Sequence, residues 1–447
     1  MHRSLDNTLR CLRQDLDSHL RPDTIERVCR QVGHKWRICR LTPPVLIRLF
    51  LIQILHGNTA LNHLTLLAGR CFTASAYCQA RARLPLQVLE ELLKALVKTL
   101  TADGVEEGLW NGHRTLLADG SAFSMPDTPE LQKHFGQPGG QKLGCGFSVA
   151  KILALFHAKT GFLLAVTAAP LRTHEMSQID AAHAMIWPGD VLIGDRGLSS
   201  YVHLALLAGR QAHGVFRLHQ KQIVDFTPGR PHGQAKTTKG QPKSRWVRSL
   251  GPNDQVVEWF RPRTRPKWIS AERYEALPKS MLIRELRYTV SQPGRRTRQI
   301  TLVTTLLEAE KYSAAALAEL YGMRWRVEQN LRNLKATMKM DVLRCQSVDG
   351  VLKELTVYAI VYNLIRLVMV KAGDRQRVAA DRISFIDAMR WLIQAKPGEE
   401  VPQLIVNPPR ENRFEPRVRK RRPKQFPLLK KSRNILRENL VTQRVTA

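Results

Sequence analysis

The stretch from Tyr321 to Lys335 reads YGMRWRVEQNLRNLK. Laid on a helix at about 100° per residue with Tyr321 at zero, Arg324 falls near 300°, Glu328 near 340°, Lys335 near 320° and Arg332 near 20°. One stripe therefore holds a tyrosine, three cations and a single acid. Val327, Leu331, Leu334 and Met338 gather at about 220° to 280°, which gives the same helix a core-facing side. The plain reading of the stripe is a solvated face with an Arg324–Glu328 salt bridge one turn apart. A lone glutamate among three cations is a poor device for balancing a surface. It suits a place where cations grip phosphate oxygens while the carboxylate holds a metal. The pattern predicts one long helix from Ser313 to about Met340. If the helix instead starts after Gly322, Tyr321 alone loses its place on the stripe.

Two aspartates upstream give that glutamate company. Thr115 to Ala118 is a short apolar run ending at Asp119-Gly120, and Asp190 to Gly194 is a second, ending at Asp195-Arg196-Gly197. Sites in open α/β sheets assemble at the carboxyl ends of strands. The glycines after each aspartate allow the backbone to turn and expose a carboxylate. Taken singly, either aspartate also reads as a turn residue or a helix cap. Between them, Phe147 to Leu155 and Phe162 to Thr167 flank Lys159-Thr160-Gly161 as a hairpin, and His174 to Ile186 reads as a helix. Tyr201 to Leu207 reads as another. Strand, hairpin, helix, strand, helix is the order of an α/β domain.

Further outward the pattern changes four times. Residues 1–108 read as a helical N-terminal domain, with a helix opened by Pro22-Asp23, a strongly apolar run from Val45 to Leu55, and leucines at helical spacing from Leu86 to Leu100. Within it, Thr73 to Leu84 carries Arg81 and Arg83, as an ordinary surface helix or as one that meets phosphates. Residues 109–218 form the first part of the α/β core. Residues 219–298 form a β-rich insertion, rich in Arg, Lys, Pro and Gly, with Trp246, Trp259 and Trp268 among strands at Trp246 to Leu250, Val256 to Phe260 and Leu282 to Val290. Residues 299–400 return to the core through Ile300 to Leu307 and a helix from Val351 to Lys371. Residues 401–447 form a basic tail whose block from Arg417 to Lys424 reads as solvated and disordered.

The composition narrows the partners. Lys and Arg number 70 against 38 for Asp and Glu, a net charge of +32 over 447 residues. Such a field attracts polyanions, nucleic acid foremost. The apolar run Leu355 to Val370 is interrupted by Asn363 and Arg366 and reads as a buried core helix, not a membrane span. No secretory pattern opens the chain at Met1 to Leu9. The seven cysteines form no CxxC pair and the fourteen histidines no HExxH, which argues against a zinc finger and suits reduced thiols in a cytoplasm.

With these residues in view, the segment fits Y-(2)-R-(3)-E-(6)-K at Tyr321, Arg324, Glu328 and Lys335. It resembles the signature of the DDE transposases of bacterial insertion sequences, specifically the IS-four-type group. The contexts Asp119-Gly120 and Gly194-Asp195-Arg196-Gly197 are similar too, and the resemblance runs from about Val45 to Met369. One departure is Leu198, where the family more often has an aromatic residue.

The resemblance implies an RNase H-like catalytic core interrupted by a β-strand insertion, which agrees with the β-rich segment between Asp195 and Glu328. It implies that Asp119, Asp195 and Glu328 hold two Mg2+ ions, with Mn2+ able to substitute. Tyr321, Arg324 and Lys335, with Arg332 beside them, would contact DNA phosphates. The implied reaction is nicking at the element's ends followed by strand transfer into target DNA, by a homodimer in a synaptic complex in the bacterial cytoplasm. The rivals are an RNase H-like nuclease that cuts without joining, a non-catalytic DNA-binding relic, and an RNA-binding protein, for which no RNP-like motif or GxxG clamp stands out. Of the other acids, Asp190 lies at the wrong end of its strand and Asp127 in a loop. Glu175 reads as a helix-start acid, Asp341 points elsewhere on the helix, and none of the four is expected to hold a metal.

Overall fold

Val191, Leu192 and Ile193 are fully buried in succession, the mark of a strand covered on both faces. They form β4 (Val191–Gly194), the fourth strand across a nine-stranded sheet in the computed structural model. The structure describes residues 20–102, 109–139, 142–231, 242–290, 298–395, 399–408 and 430–445. The basic block from Arg417 to Lys424 lies outside these.

Among the described residues five helices come first: α1 (Pro22–Gln31), α2 (Pro43–Leu55), α3 (Leu61–Leu67), α4 (Ala74–Arg83) and α5 (Leu86–Ala102). There follow β1 (Thr115–Met125), α6 (Pro129–Phe135), β2 (Ser148–His157), β3 (Leu163–Pro170), a 3-10 turn at Glu175–Gln178 and α7 (Ile179–His183). After β4 come α8 (Tyr201–Ala208) and β5 (His213–Arg217), then β6 (Lys243–Gly251), β7 (Asp254–Phe260), α9 (Ala271–Glu275), β8 (Ser280–Val290) and β9 (Arg298–Thr304). The chain closes with α10 (Ala314–Gly322), α11 (Trp325–Arg332), a π turn at Asn333–Thr337, α12 (Val348–Gln376), α13 (Phe385–Gln394) and α14 (Arg433–Val445).

The strand order is β3-β2-β1-β4-β5-β9-β8-β7-β6. β4 runs parallel to both β1 and β5, and every other pairing is antiparallel. The α/β expectation therefore holds as a large mixed sheet with helices. The strands of the β-rich segment do not stand apart. They continue the same sheet, because β9 pairs with β5 on one side and β8 on the other. Trp259 is in the core with its indole N–H on the Glu285 carboxylate at 2.9 Å, and Trp268 packs on the core's edge. Arg284, fully buried on β8, pairs with Asp254 on β7 and donates to the Tyr312 carbonyl at 2.6 Å.

α12 is the spine between the sheet and the N-terminal helices. It contacts α2, α4, α5, α13 and β3. It is the one helix among the described residues long and apolar enough to cross a membrane, yet its apolar window is packed inside the protein. The two polar residues that interrupt it have assigned work. Asn363 receives the Leu163 amide at 2.8 Å and donates to the Leu163 carbonyl at 2.9 Å, while Arg366 donates to the Thr160 carbonyl. Both thereby clamp the β2–β3 hairpin, whose Gly161 takes φ +71° at the turn. α2 is buried almost all round, as a helix apolar on every side must be.

Several expectations are corrected. Asp119 does not end its strand: β1 runs on to Met125 in register with β2, and Gly120 makes no turn. The helix expected from Ser313 to Met340 is broken. Bonds from the Arg324 amide to the Tyr321 carbonyl and from the Val327 amide to the Arg324 carbonyl tighten the chain after Gly322, and the π turn loosens it again at Asn333. The helix expected over His174 to Ile186 is a 3-10 turn and one short helix. The tail is helical at Arg433–Val445, anchored by an Arg433–Asp127 ion pair at 2.8 Å. That pair also explains Asp127.

Candidate active site

The register of two parallel strands sets the first half of the site. Leu117 pairs with Ile193, and there the β1–β4 ladder stops. Two residues beyond that pair come Asp119, still on β1, and Asp195, just past the end of β4, near enough for the charge of Asp195 to act on the Asp119 carboxyl. β1 continues with β2 alone, so its other edge is open until Ser124, where residue 342 bridges to it. The gap between Leu117 and Ser124 is the floor of the site. Asp119 Oδ1 accepts the Gly120 amide at 2.8 Å and Asp195 Oδ1 the Gly197 amide at 2.6 Å.

α11 roofs this gap and contacts β1. Val327, Leu331, Leu334 and Met338 are buried, so the apolar side expected from the sequence faces the core. The adjacent side carries Glu328, which accepts from Arg324 at 2.9 Å. Lys335, carried on the π turn, donates to Ser121 Oγ on β1 at 3.0 Å. Such π turns recur at functional sites. Tyr321 is buried, with the Arg324 guanidinium 6.0 Å from its ring centre.

Electrostatics tie the pieces together. Burial first, then the charges of Asp195 and Glu328, push the Asp119 carboxyl up to about 6, against the Gly120 amide and Arg324, which act to lower it. Burial raises Tyr321 as well, with Asp195 adding to it and Arg324 and Arg217 opposing. Six of the seven candidate residues thus converge: Asp119, Asp195, Tyr321, Arg324, Glu328 and Lys335. Arg332 does not, since it is exposed at the end of α11 and none of its neighbours in the site bonds to it.

Among the described residues, no three acids, histidines or cysteines stand close enough to hold a metal ion as placed. The donor set nevertheless fits a hard divalent cation: carboxylate oxygens on two fixed strands, crowded enough that Asp119 resists ionising, and a third on a helix whose carboxylate is taken up by Arg324.

The remaining acids fall elsewhere, with one exception. Asp190 forms a buried bidentate pair with Arg114 at the far end of β4. Glu175 does not cap its own turn. His174 does that, its ring nitrogen accepting the Met176 amide at 3.2 Å. The Glu175 carboxylate instead lies against Gly120, where a Cβ would come within 2.7 Å of it. Ser121 and Glu175 were not readable as site residues, and the mid-strand Gly120 was the available clue. His203 was also missed. Its Nδ1–H donates to the Leu198 carbonyl at 2.7 Å, so its Nε2 accepts from His183 at 3.1 Å, and this buried pair fixes the loop that follows Asp195. Arg81 turns inward to Gln53 and Cys345 rather than outward to a ligand.

Residues 110–364 match the family described as "Transposase DDE domain". The chain is 27% identical over 401 residues to the Escherichia coli (strain K12) protein "Transposase InsG for insertion sequence element IS4", covering 82% of this chain and 81% of that one. Among solved structures it is similar to the piggyBac transposase synaptic complex with hairpin DNA. There the TM-score is 0.41 and the identity 9%, over 87% of this chain and 78% of the other, a likeness too slight to carry an argument.

Proposed function

This chain belongs to the transposase DDE domain family as an insertion-sequence transposase of the IS4 type, and we propose that Asp119, Asp195 and Glu328 are the carboxylates with which it cuts and joins DNA. The single observation that supports the assignment is the register of β1 and β4, whose last pair, Leu117 with Ile193, lies two residues before each aspartate, on the strand that α11 contacts.

In this reading the strands β3-β2-β1-β4-β5 are an RNase H-like core, and residues 219–298 are an insertion that lengthens its sheet. The order, with β2 alone reversed among β1, β2, β4 and β5, supports that reading. Asp119, Asp195 and Glu328 would hold two Mg2+ ions, or Mn2+ in their place, which would supply the activation of a water or 3′-hydroxyl and the stabilisation of the leaving oxygen. Asp119 and Asp195 hold their positions through the amides of Gly120 and Gly197. Glu328 must leave Arg324 to join them. Arg324, so released, turns its planar fork to a phosphate, for which guanidinium is suited. Lys335 offers a point charge from its seat on Ser121, and the Tyr321 hydroxyl lies beside Arg324 for a further phosphate contact. Double-stranded DNA, as element ends and target, is the substrate, and pairing of two ends calls for a homodimer. The residues 1–108 and the basic tail 401–447 add DNA contacts outside the catalytic centre.

The test is a reaction on DNA bearing the element's own ends. Glu328→Ala should abolish nicking while gel-shift affinity stays near wild type, because the phosphate-gripping cations remain. Nicking by this variant at the wild-type rate would remove Glu328 from the site.

A further inference from the structure

We propose that Glu175 is a fourth carboxylate of the metal site, reaching the divalent cations from the turn between β3 and α7. This rests on the reading of Asp119 and Asp195 given above.

The placement argues for it. Glu175 is half-buried, and among the described residues it has no hydrogen bond and no ion pair. In a chain with 70 lysines and arginines, this carboxylate has no cation paired with it among the described residues. Its position is specific. A Cβ on Gly120 would stand 2.7 Å from both the carboxyl carbon and Oε1 of Glu175. A Cβ on Gly197 would stand 3.3 Å from Glu175 Oε2 and 3.4 Å from Asp195 Oδ1, so those two oxygens border the same point. Glu175 thus touches the backbone beside each aspartate of the site.

Gly120 is otherwise unexplained. It sits inside β1 without a turn or a positive φ, where glycine weakens a strand. It is required there because the Glu175 carboxylate occupies the space a side chain would fill. The charges also agree. Two divalent ions carry one more positive charge than Asp119, Asp195 and Glu328 neutralise, and Glu175 supplies the difference before any phosphate enters.

The experiment titrates the full chain with Mn2+ and follows the loss of the free-ion EPR signal, for wild type, Glu175→Gln, Gly120→Ala and Asp195→Asn. In parallel, the Mg2+ concentration giving half-maximal nicking is measured for wild type and Glu175→Gln, with thermal unfolding in EDTA alongside. Glu175→Gln should weaken Mn2+ binding and raise the half-maximal Mg2+ concentration at least about tenfold. It should leave the EDTA unfolding midpoint unchanged or higher, since the replaced carboxylate bonds to no protein group among the described residues. Gly120→Ala, which displaces the carboxylate without removing it, should weaken Mn2+ binding in the same direction. If Glu175→Gln keeps both the wild-type Mn2+ titration and the wild-type Mg2+ dependence while Asp195→Asn loses them, Glu175 is not a ligand and the three-carboxylate reading stands. If Asp195→Asn also behaves as wild type, that reading fails with it. A lowered EDTA midpoint for Glu175→Gln with unchanged metal dependence would make Glu175 structural and overturn the inference.

Discussion

Arg324 sits between two duties. In the structure it binds Glu328 at 2.9 Å, and in the proposed reaction it binds phosphate while Glu328 turns to the metal. Arg324→Lys keeps the charge and removes the fork, so it should lower the nicking rate by about 10–100-fold at saturating Mg2+ and spare the metal dependence. Single-turnover kinetics on end DNA would check this, and an unchanged rate would assign Arg324 to the ion pair alone. Lys335→Ala should weaken end binding and nicking together, because it removes a phosphate-binding charge and the tie to Ser121. At this scale the sequence was legible in placement, since the spacing that groups Tyr321, Arg324, Glu328 and Lys335 also brings them to one side of β1 in the structure. Arg332 shares the stripe on an ideal helix but stands exposed beyond the others. Glu175 and Ser121 leave no spacing signal, because their roles depend on which strands lie beside them.

The elements show why the ideal wheel is incomplete. It assumes a constant turn, whereas the chain tightens between Tyr321 and Val327 and loosens at Asn333–Thr337. Neither change has a local marker beyond Gly322, since both answer to what α11 packs against. Asp119 reads as a strand end because the apolar run stops there; the strand continues because β2 still pairs with it. The loop after Asp195 depends on the His183–His203 pair. Burial pushes His203 down to about 4, against the pull of the Leu198 carbonyl, and burial with the charges of His203 and Arg210 pushes His183 down to about 3. The unfolded chain takes up these protons near pH 6.5 and the folded protein resists them. The pair's contribution is therefore complete above about pH 6.5 and lost as the pH falls toward about 4. Unfolding midpoints in EDTA should drop over that window, and the drop should be smaller in His203→Leu. An equal slope in the variant would mean that other groups set it. Gly161→Ala should destabilise the protein by about 1–3 kcal/mol, since it forces an alanine to φ +71° and against the Arg366 guanidinium. Denaturant melts would show this as a lower midpoint.

For the whole molecule, the readable quantity was charge. At +32 the chain should bind duplex DNA with a steep inverse dependence on salt. Replacing the six cations of residues 417–424 with glutamine should flatten that dependence, by about 0.9 in slope for each phosphate no longer neutralised, and leave nicking at low salt intact. An unchanged slope would place the block off the DNA. The α/β class and the β-rich segment could also be read, because strand and helix periodicities are local. That the segment lengthens one sheet could not, nor that α12 joins that sheet to the N-terminal helices. Both depend on pairings between residues far apart in the chain, such as Val215 with Thr304 and Asn363 with Leu163.

The most direct test of the central claim is a strand-transfer reaction on DNA carrying the element's ends, with wild type and Asp195→Asn, in Mg2+ and in EDTA. The account predicts cleavage and joined products from wild type in Mg2+ only. It predicts a loss of about three orders of magnitude in Asp195→Asn, on the order of 4 kcal/mol in the barrier, with DNA binding retained. Comparable cleavage by Asp195→Asn, or by wild type in EDTA, would contradict it.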